Sequence, residues 1–145
     1  MNIDRLLSDP AMAVLRQALK ASNTTHDTIA HNLANVDTPG YKSSEVIFKD
    51  KLSGALQEIQ ASSNNLEGAR TNPAHFSINE PPSLGDIQPS VVVRAQTSLR
   101  PDGNNVDIDS EMTKLSQNTI LFQALTQLVS AKMGQLRTAI SEGRR

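Results

Sequence analysis

Two histidines, His26 and His31, stand five positions apart in a stretch that reads as helix. That step turns the two rings away from each other, whereas a shared metal needs the four-residue step that stacks them on one face. They read as polar or seam-lining side chains. Asp102, Asp107, Asp109 and Glu111 form an acidic cluster, but the glycine at the sixth position and the closing glutamate at the twelfth position of a calcium loop are missing. Turn and helix-capping duty explains these carboxylates. The chain has no cysteine, which removes disulfides, thiolate metal sites and cysteine nucleophiles. Its serines and threonines sit in no nucleophile elbow, and neither a glycine-rich phosphate loop nor a strand-end carboxylate pair is present. No catalytic residue, metal or cofactor is expected, and the chain does not read as an enzyme.

The elements around these residues are uneven. Of 145 residues only 3% are aromatic, with no Trp, one Tyr and three Phe, and 37% are hydrophobic. Large core-filling side chains are therefore scarce. Apolar residues crowd towards both ends, while the middle is polar and contains proline. A net charge of −1 leaves no broad electrostatic footprint for nucleic acid or an anionic membrane. The opening residues carry Asp4, Asp9 and Pro10 where a secretory signal would need a basic start and an unbroken apolar run. No stretch approaches the roughly 20 apolar residues of a membrane-spanning helix.

The first long helix is expected to begin at Ser8 or Asp9, with Asp9 as a cap and Pro10 at the first helical position, where its missing N–H is harmless. Met12, Leu15, Leu19, Ser22, His26, Ile29, Leu33 and Val36 recur at alternating steps of three and four, the spacing of a coiled-coil seam interrupted by Ser22 and His26. Asp37-Thr38-Pro39-Gly40 should stop this helix near Ala34 to Val36. Pro39 disfavours helical geometry at Thr38, and Gly40 readily takes positive φ.

Between Tyr41 and Ile59, the positions Phe48, Leu52, Leu56 and Ile59 suit one face of a short second helix. Residues 60–90 are rich in Ser, Asn, Gly and Pro and predict a flexible loop. Ser90 to Thr97 is β-branched enough for a strand, and Arg100-Pro101-Asp102-Gly103-Asn104-Asn105 is turn chemistry. The last helix should open at Asp107 or Asp109, with Asp109 or Ser110 as cap and Glu111 favouring the positive end of the helix dipole. Running to about Ile140, it would be on the order of 48 Å long. Leu115, Phe122, Val129 and Leu136 stand seven apart in it, Met112, Met133 and Ile140 flank them, and Leu121, Leu125 and Leu128 widen the stripe. On periodicity alone, a simple helical bundle and an assembly subunit both remain open.

The run His31-Asn32-Leu33-Ala34-Asn35-Val36-Asp37-Thr38-Pro39-Gly40-Tyr41-Lys42 resembles the signature of the flagellar rod and hook axial proteins. Asp102-Gly103-Asn104-Asn105-Val106-Asp107-Ile108-Asp109-Ser110-Glu111-Met112 is similar to the entry into the C-terminal helix of the proximal rod members. Gln117-Asn118, Phe122-Gln123-Ala124-Leu125 and the run from Gly134 to Ile140 extend that similarity. Phe122 stands where the family often carries tyrosine, and residues 61–89 match nothing specific.

The resemblance implies a mainly α protein in three parts: an N-terminal assembly helix and exit turn over 1–39, a middle segment over 40–106, and a C-terminal assembly helix over 107–145. The two long terminal helices would pack as an antiparallel, coiled-coil-like pair, with a short helix, a flexible loop and a small β element between them. The implied function is that of a structural subunit of the basal-body rod, exported through the flagellar type III apparatus. Implied partners are its own copies, other rod proteins and the junction with the inner-membrane ring and export gate. Leu15, Leu19, Ile29 and Leu33 would face Leu115, Phe122, Val129 and Leu136, while Leu121, Leu125 and Leu128 reach neighbouring subunits. Asn32, Asn35, Thr38, Pro39 and Gly40 would fix the chain's exit from the first helix, with Tyr41 anchoring the turn. Free in solution, the terminal helices would be weakly ordered for want of partners. The alternatives are another axial protein of the same structure and a free-standing helical adaptor.

Overall fold

A computed structural model describes residues 10–63, 84–95 and 100–142. Helix α1, Pro10–Ala34, leads through a turn into strand β1, Ser44–Ile47, and helix α2, Lys49–Ser63. Strand β2, Ser90–Val93, precedes helix α3, Ile108–Glu142. The protein is mainly helical. Its two long helices pack on each other, and the β strands pair beside them.

α1 begins at Pro10 and ends at Ala34; its expected cap, Asp9, lies outside the described residues. Thr38-Pro39-Gly40-Tyr41 forms a turn closed by the Tyr41 N–H on the Thr38 carbonyl at 3.3 Å. Gly40 takes φ of +73° there, a conformation that a Cβ would strain.

Residues 41–47 are not part of the second helix. β1 occupies Ser44–Ile47 and runs antiparallel to β2, with Ser44 opposite Val93 and Ile47 opposite Ser90. Val46 and Ile47 are β-branched, and their pairing with Val91 and Ser90 of a valine-rich strand far along the chain outweighs local helix propensity. Arg94 and Glu45 form an ion pair across the strands. α2 continues through Ser63, so the first residues of the expected 60–90 loop are helical. Most of that loop lies outside the described residues. Leu84 to Asp86 makes a turn against α1, where the Gln17 side chain donates to the Gly85 carbonyl at 2.5 Å.

Asp107, rather than Asp109 or Ser110, caps α3. Its carboxylate accepts the Asp109 N–H at 3.0 Å, and its carbonyl accepts the Glu111 N–H at 2.9 Å, as a residue at the N-cap does. At 35 residues α3 is about 52 Å long.

Among the described residues no thick core forms. The buried apolar side chains among the described residues are Met12, Ala21, Ile29, Ala55 and Val106, and they are outnumbered by buried polar ones. No described helix is long and apolar enough to cross a membrane.

Candidate assembly site

The α1–α3 seam is partly polar. On α3 Glu111, Leu115, Asn118, Leu125, Val129, Lys132 and Leu136 are buried or half-buried, and of these Glu111 and Asn118 hydrogen-bond α1. With Phe122 they complete an alternation of four and three. Leu125 is half-buried in step with Leu115 and Asn118, whereas Leu121 and Leu128 are exposed. On α1, Ile29 is buried, while Leu15, Leu19 and Leu33 are half-buried. His26 is exposed, and Ser22, read from sequence as an interruption, is one of the most buried side chains.

Ser22 meets Asn118. The Ser22 hydroxyl donates to Asn118 Oδ1 at 2.8 Å, and Asn118 Nδ2 donates to the Ser22 carbonyl at 2.9 Å. A buried amide left unpaired would cost about 1–3 kcal/mol, and here both ends are satisfied.

The second polar contact is built on Asn32, 1% exposed. Its Nδ2 donates to the Ser44 carbonyl at 2.8 Å and to Glu111 Oε2 at 2.9 Å. Its Oδ1 accepts the Ser44 N–H at 2.9 Å and the Tyr41 hydroxyl at 3.3 Å. Both amide protons and both lone-pair directions are used. One side chain thus ties α1 to the first residue of β1 and to the first turn of α3. Glu111 is buried and also pairs with Lys114. Its role exceeds the favourable placement near the helix dipole expected from sequence.

The third contact joins the two sequence motifs. Asn104 is completely buried, and its Nδ2 lies 2.9, 3.0 and 2.9 Å from the carbonyls of Asn35, Val36 and Thr38. The last carbonyls of a helix have no partner within it, so Asn104 closes the end of α1 from a distant part of the chain. Around it the Gly40 N–H donates to the Asp102 carbonyl at 2.8 Å, Lys42 Nζ to the Gly103 carbonyl at 2.6 Å and the Ser43 N–H to Asn105 Oδ1 at 2.7 Å. Gly103 also has positive φ, +75°, and a methyl group on it would stand 3.8 Å from the Gly40 Cα.

Of the residues expected at the exit turn, Asn32 and Tyr41 meet at the buried network. Asn35 and Thr38 supply carbonyls to Asn104, and Thr38 Oγ1 donates to Asn35 Oδ1 at 3.2 Å. Pro39 and Gly40 form the turn. Sequence reasoning missed Asn104, Glu111 and Asn118 as contact residues. Glu111 and Asn118 fall in step with Leu115 and Leu125, a spacing that marks them as facing α1. Nothing local marks Asn104.

Beside the seam a large apolar surface remains in the chain. Ile120, Leu121, Phe122, Leu128, Met133 and Ile140 are each more than 40% exposed. Leu121 borders a groove of about 390 Å³ between α1, β1 and α3. Leu128 lines an apolar trough of about 590 Å³ with Pro10, Val14, Leu15 and Leu56. Phe122 borders a hollow of about 210 Å³ with His26. Among the described residues no group of three or more acidic or histidine side chains is placed to hold a metal.

A helix pair joined by buried side-chain amides, with leucines and a phenylalanine left uncovered along its flanks, defines a helical structural protein of the assembly type. Residues 12–42 match the family described as Flagella basal body rod protein. The chain is 36% identical over 130 residues to the flagellar basal body rod protein FlgB of Bacillus subtilis (strain 168), covering 90% of this chain and 92% of that one. It is 36% identical over 128 residues to FlgB of Borrelia hermsii, covering 88% and 90%, and 26% identical over 142 residues to FlgB of Escherichia coli (strain K12), covering 97% and 99%. The chain belongs to the FlgB family of flagellar basal body rod proteins.

Proposed function

We propose that this chain is a subunit of the proximal rod of the bacterial flagellum, polymerising through its two terminal helices as part of the drive shaft. The observation that carries this reading is the full-length similarity to FlgB proteins, which spans both terminal helices and the segment between them. The exposed apolar flanks of α3 support it: in a free chain they face water, and in a tube of parallel subunits they meet neighbours. Its partners are other copies of itself, the adjoining rod proteins, and the junction with the inner-membrane ring and export gate. Leu121 and Leu128 are the side chains offered outward, while Leu15, Leu19, Ile29, Leu33, Leu115, Leu125, Val129 and Leu136 hold the pair together, with Phe122 at the edge of the seam. The protein works by assembly and not by catalysis.

An in-frame deletion of the gene, complemented from a plasmid and scored for motility and basal-body structure by electron microscopy, tests this. Non-motile cells with an inner-membrane ring but no rod are expected. Motile cells with complete rods would exclude an essential rod role, unless a second copy exists, and would favour the adaptor reading.

A further inference from the structure

The two motifs meet at Asp102-Gly103, a pair with covalent chemistry of its own. Among the seven glycines of the chain only Gly103 follows an aspartate, and none follows an asparagine. With no Cβ on the glycine, its backbone nitrogen can come close to the preceding side chain. The Gly103 nitrogen attacks Asp102 Cγ and gives up its proton, the carboxyl C–O bond breaks, and the oxygen leaves as water. A five-membered succinimide ring remains. Water then opens the ring at one of its two carbonyls. Attack at Cγ restores aspartate, whereas attack at the backbone carbonyl leaves isoaspartate, with the main chain routed through Cβ and Cγ. One water departs and one returns, so nothing is oxidised or reduced and no other reactant is needed.

In the folded chain the groups that this reaction must move are held. The Gly103 N–H donates to the Arg100 carbonyl at 3.0 Å. Asp102 Oδ2 accepts from the Arg100 guanidinium at 2.9 Å, and Oδ1 accepts the Asn104 N–H at 3.1 Å. On either side of the peptide bond, the Asp102 carbonyl accepts the Gly40 N–H and the Gly103 carbonyl accepts Lys42 Nζ. Gly103 is fixed at φ of +75°. Several of these contacts must break together before the nitrogen can turn onto Cγ.

We propose that Asp102 is a modification site masked by folding: it converts to isoaspartate in the unfolded chain and is protected once Gly40, Lys42 and Arg100 close around it. The modified chain carries one extra backbone carbon between Asp102 and Gly103. Asn104 then falls out of step with the carbonyls of Asn35, Val36 and Thr38 that it binds. A chain left unfolded for long enough is therefore marked at the joint between its two motifs and cannot rebuild it. The chemistry lies within one chain and is independent of the rod-subunit reading.

The test incubates the full chain at neutral pH in native buffer and in guanidinium chloride, and locates isoaspartate by fragmentation mass spectrometry of the tryptic peptide from Ala95 to Lys114. Isoaspartate is expected at Asp102 in denaturant, and at least about tenfold more slowly in native buffer, where reaction waits for local opening. Asp107, followed in the same peptide by the branched Ile108, is expected to stay unmodified. Asp102→Glu, whose ring would need six members, is expected to remove the signal in denaturant, a measurement that requires no folding. Equal rates at Asp102 in the two solvents would overturn the masking. Modification of Asp107 as fast as Asp102, or a signal that survives in Asp102→Glu, would overturn the site.

Discussion

Asn32 and Glu111, 79 positions apart in the chain, share a 2.9 Å hydrogen bond in a site where both are buried. Each also serves a second element: Asn32 holds the backbone of Ser44, and Glu111 holds Lys114. Replacing Glu111 by Ala strands an amide proton of Asn32 and leaves Lys114 without that carboxylate. The expected loss is about 1–3 kcal/mol, the cost of a stranded buried donor, since Lys114 is 38% exposed and is solvated by water when its partner is gone. Glu111→Gln, which keeps an acceptor for Asn32, should lose less. Urea midpoints of the two variants check the order, and equal losses would mean that the ion pair dominates.

Asn104→Ala removes the amide shared by three carbonyls at the end of α1 and should cost about 1–3 kcal/mol. Asn104→Asp should cost more, since a carboxylate cannot donate and adds negative charge at the negative end of the helix. Thermal melting followed by circular dichroism gives the ranking. A variant with Asp as stable as the one with Ala would contradict the role assigned to the amide.

Gly40→Val places a β-branched residue at φ of +73° and should destabilise the turn by about 1–3 kcal/mol, with impaired rod assembly and swimming. Gly54→Ala is the control. Gly54 lies within α2 with open space around it, so an added methyl should leave stability unchanged or raise it by up to about 1 kcal/mol. Full motility in Gly40→Val would remove this account of the turn.

Leu121→Asp and Leu128→Asp alter exposed positions and should shift the stability of the free chain by no more than about 0.5 kcal/mol. In cells the same substitutions should abolish motility if these side chains meet neighbouring subunits. Leu125→Asp, in the seam, should damage the free chain itself. Wild-type swimming in both surface variants would show that the flank is not an interface.

The two long helices could be read from apolar spacing, and Pro10 and the Pro39-Gly40 turn marked the bounds of the first. The strand at Ser44–Ile47 could not, because its pairing with Ser90–Val93 is a non-local contact and both segments are only four residues long. The cap moved from Asp109 or Ser110 to Asp107 because several oxygen-bearing side chains there suit the role and only backbone geometry chooses among them. Leu125, expected to reach a neighbouring subunit, is half-buried in step with Leu115 and Asn118. A stripe wide enough to suit two faces does not say which leucine turns inward, whereas Asn118 and Glu111, which do turn inward, look like surface residues. Both halves of the Asn104 contact stood in recognised motifs, yet nothing in either motif says that it touches the other.

The polar pairs between α1 and α3 have a mechanical consequence. Leucine stripes gauge length poorly, since a helix that slides by one heptad past its partner replaces leucine with leucine at little loss. Asn32 with Glu111 and Ser22 with Asn118 act as dowel pins, because a slip in either direction would leave four buried polar groups unmatched, and such residues fix alignment in paired helices. In a rod subunit under load, the same pins would oppose shear between the two helices along their seam.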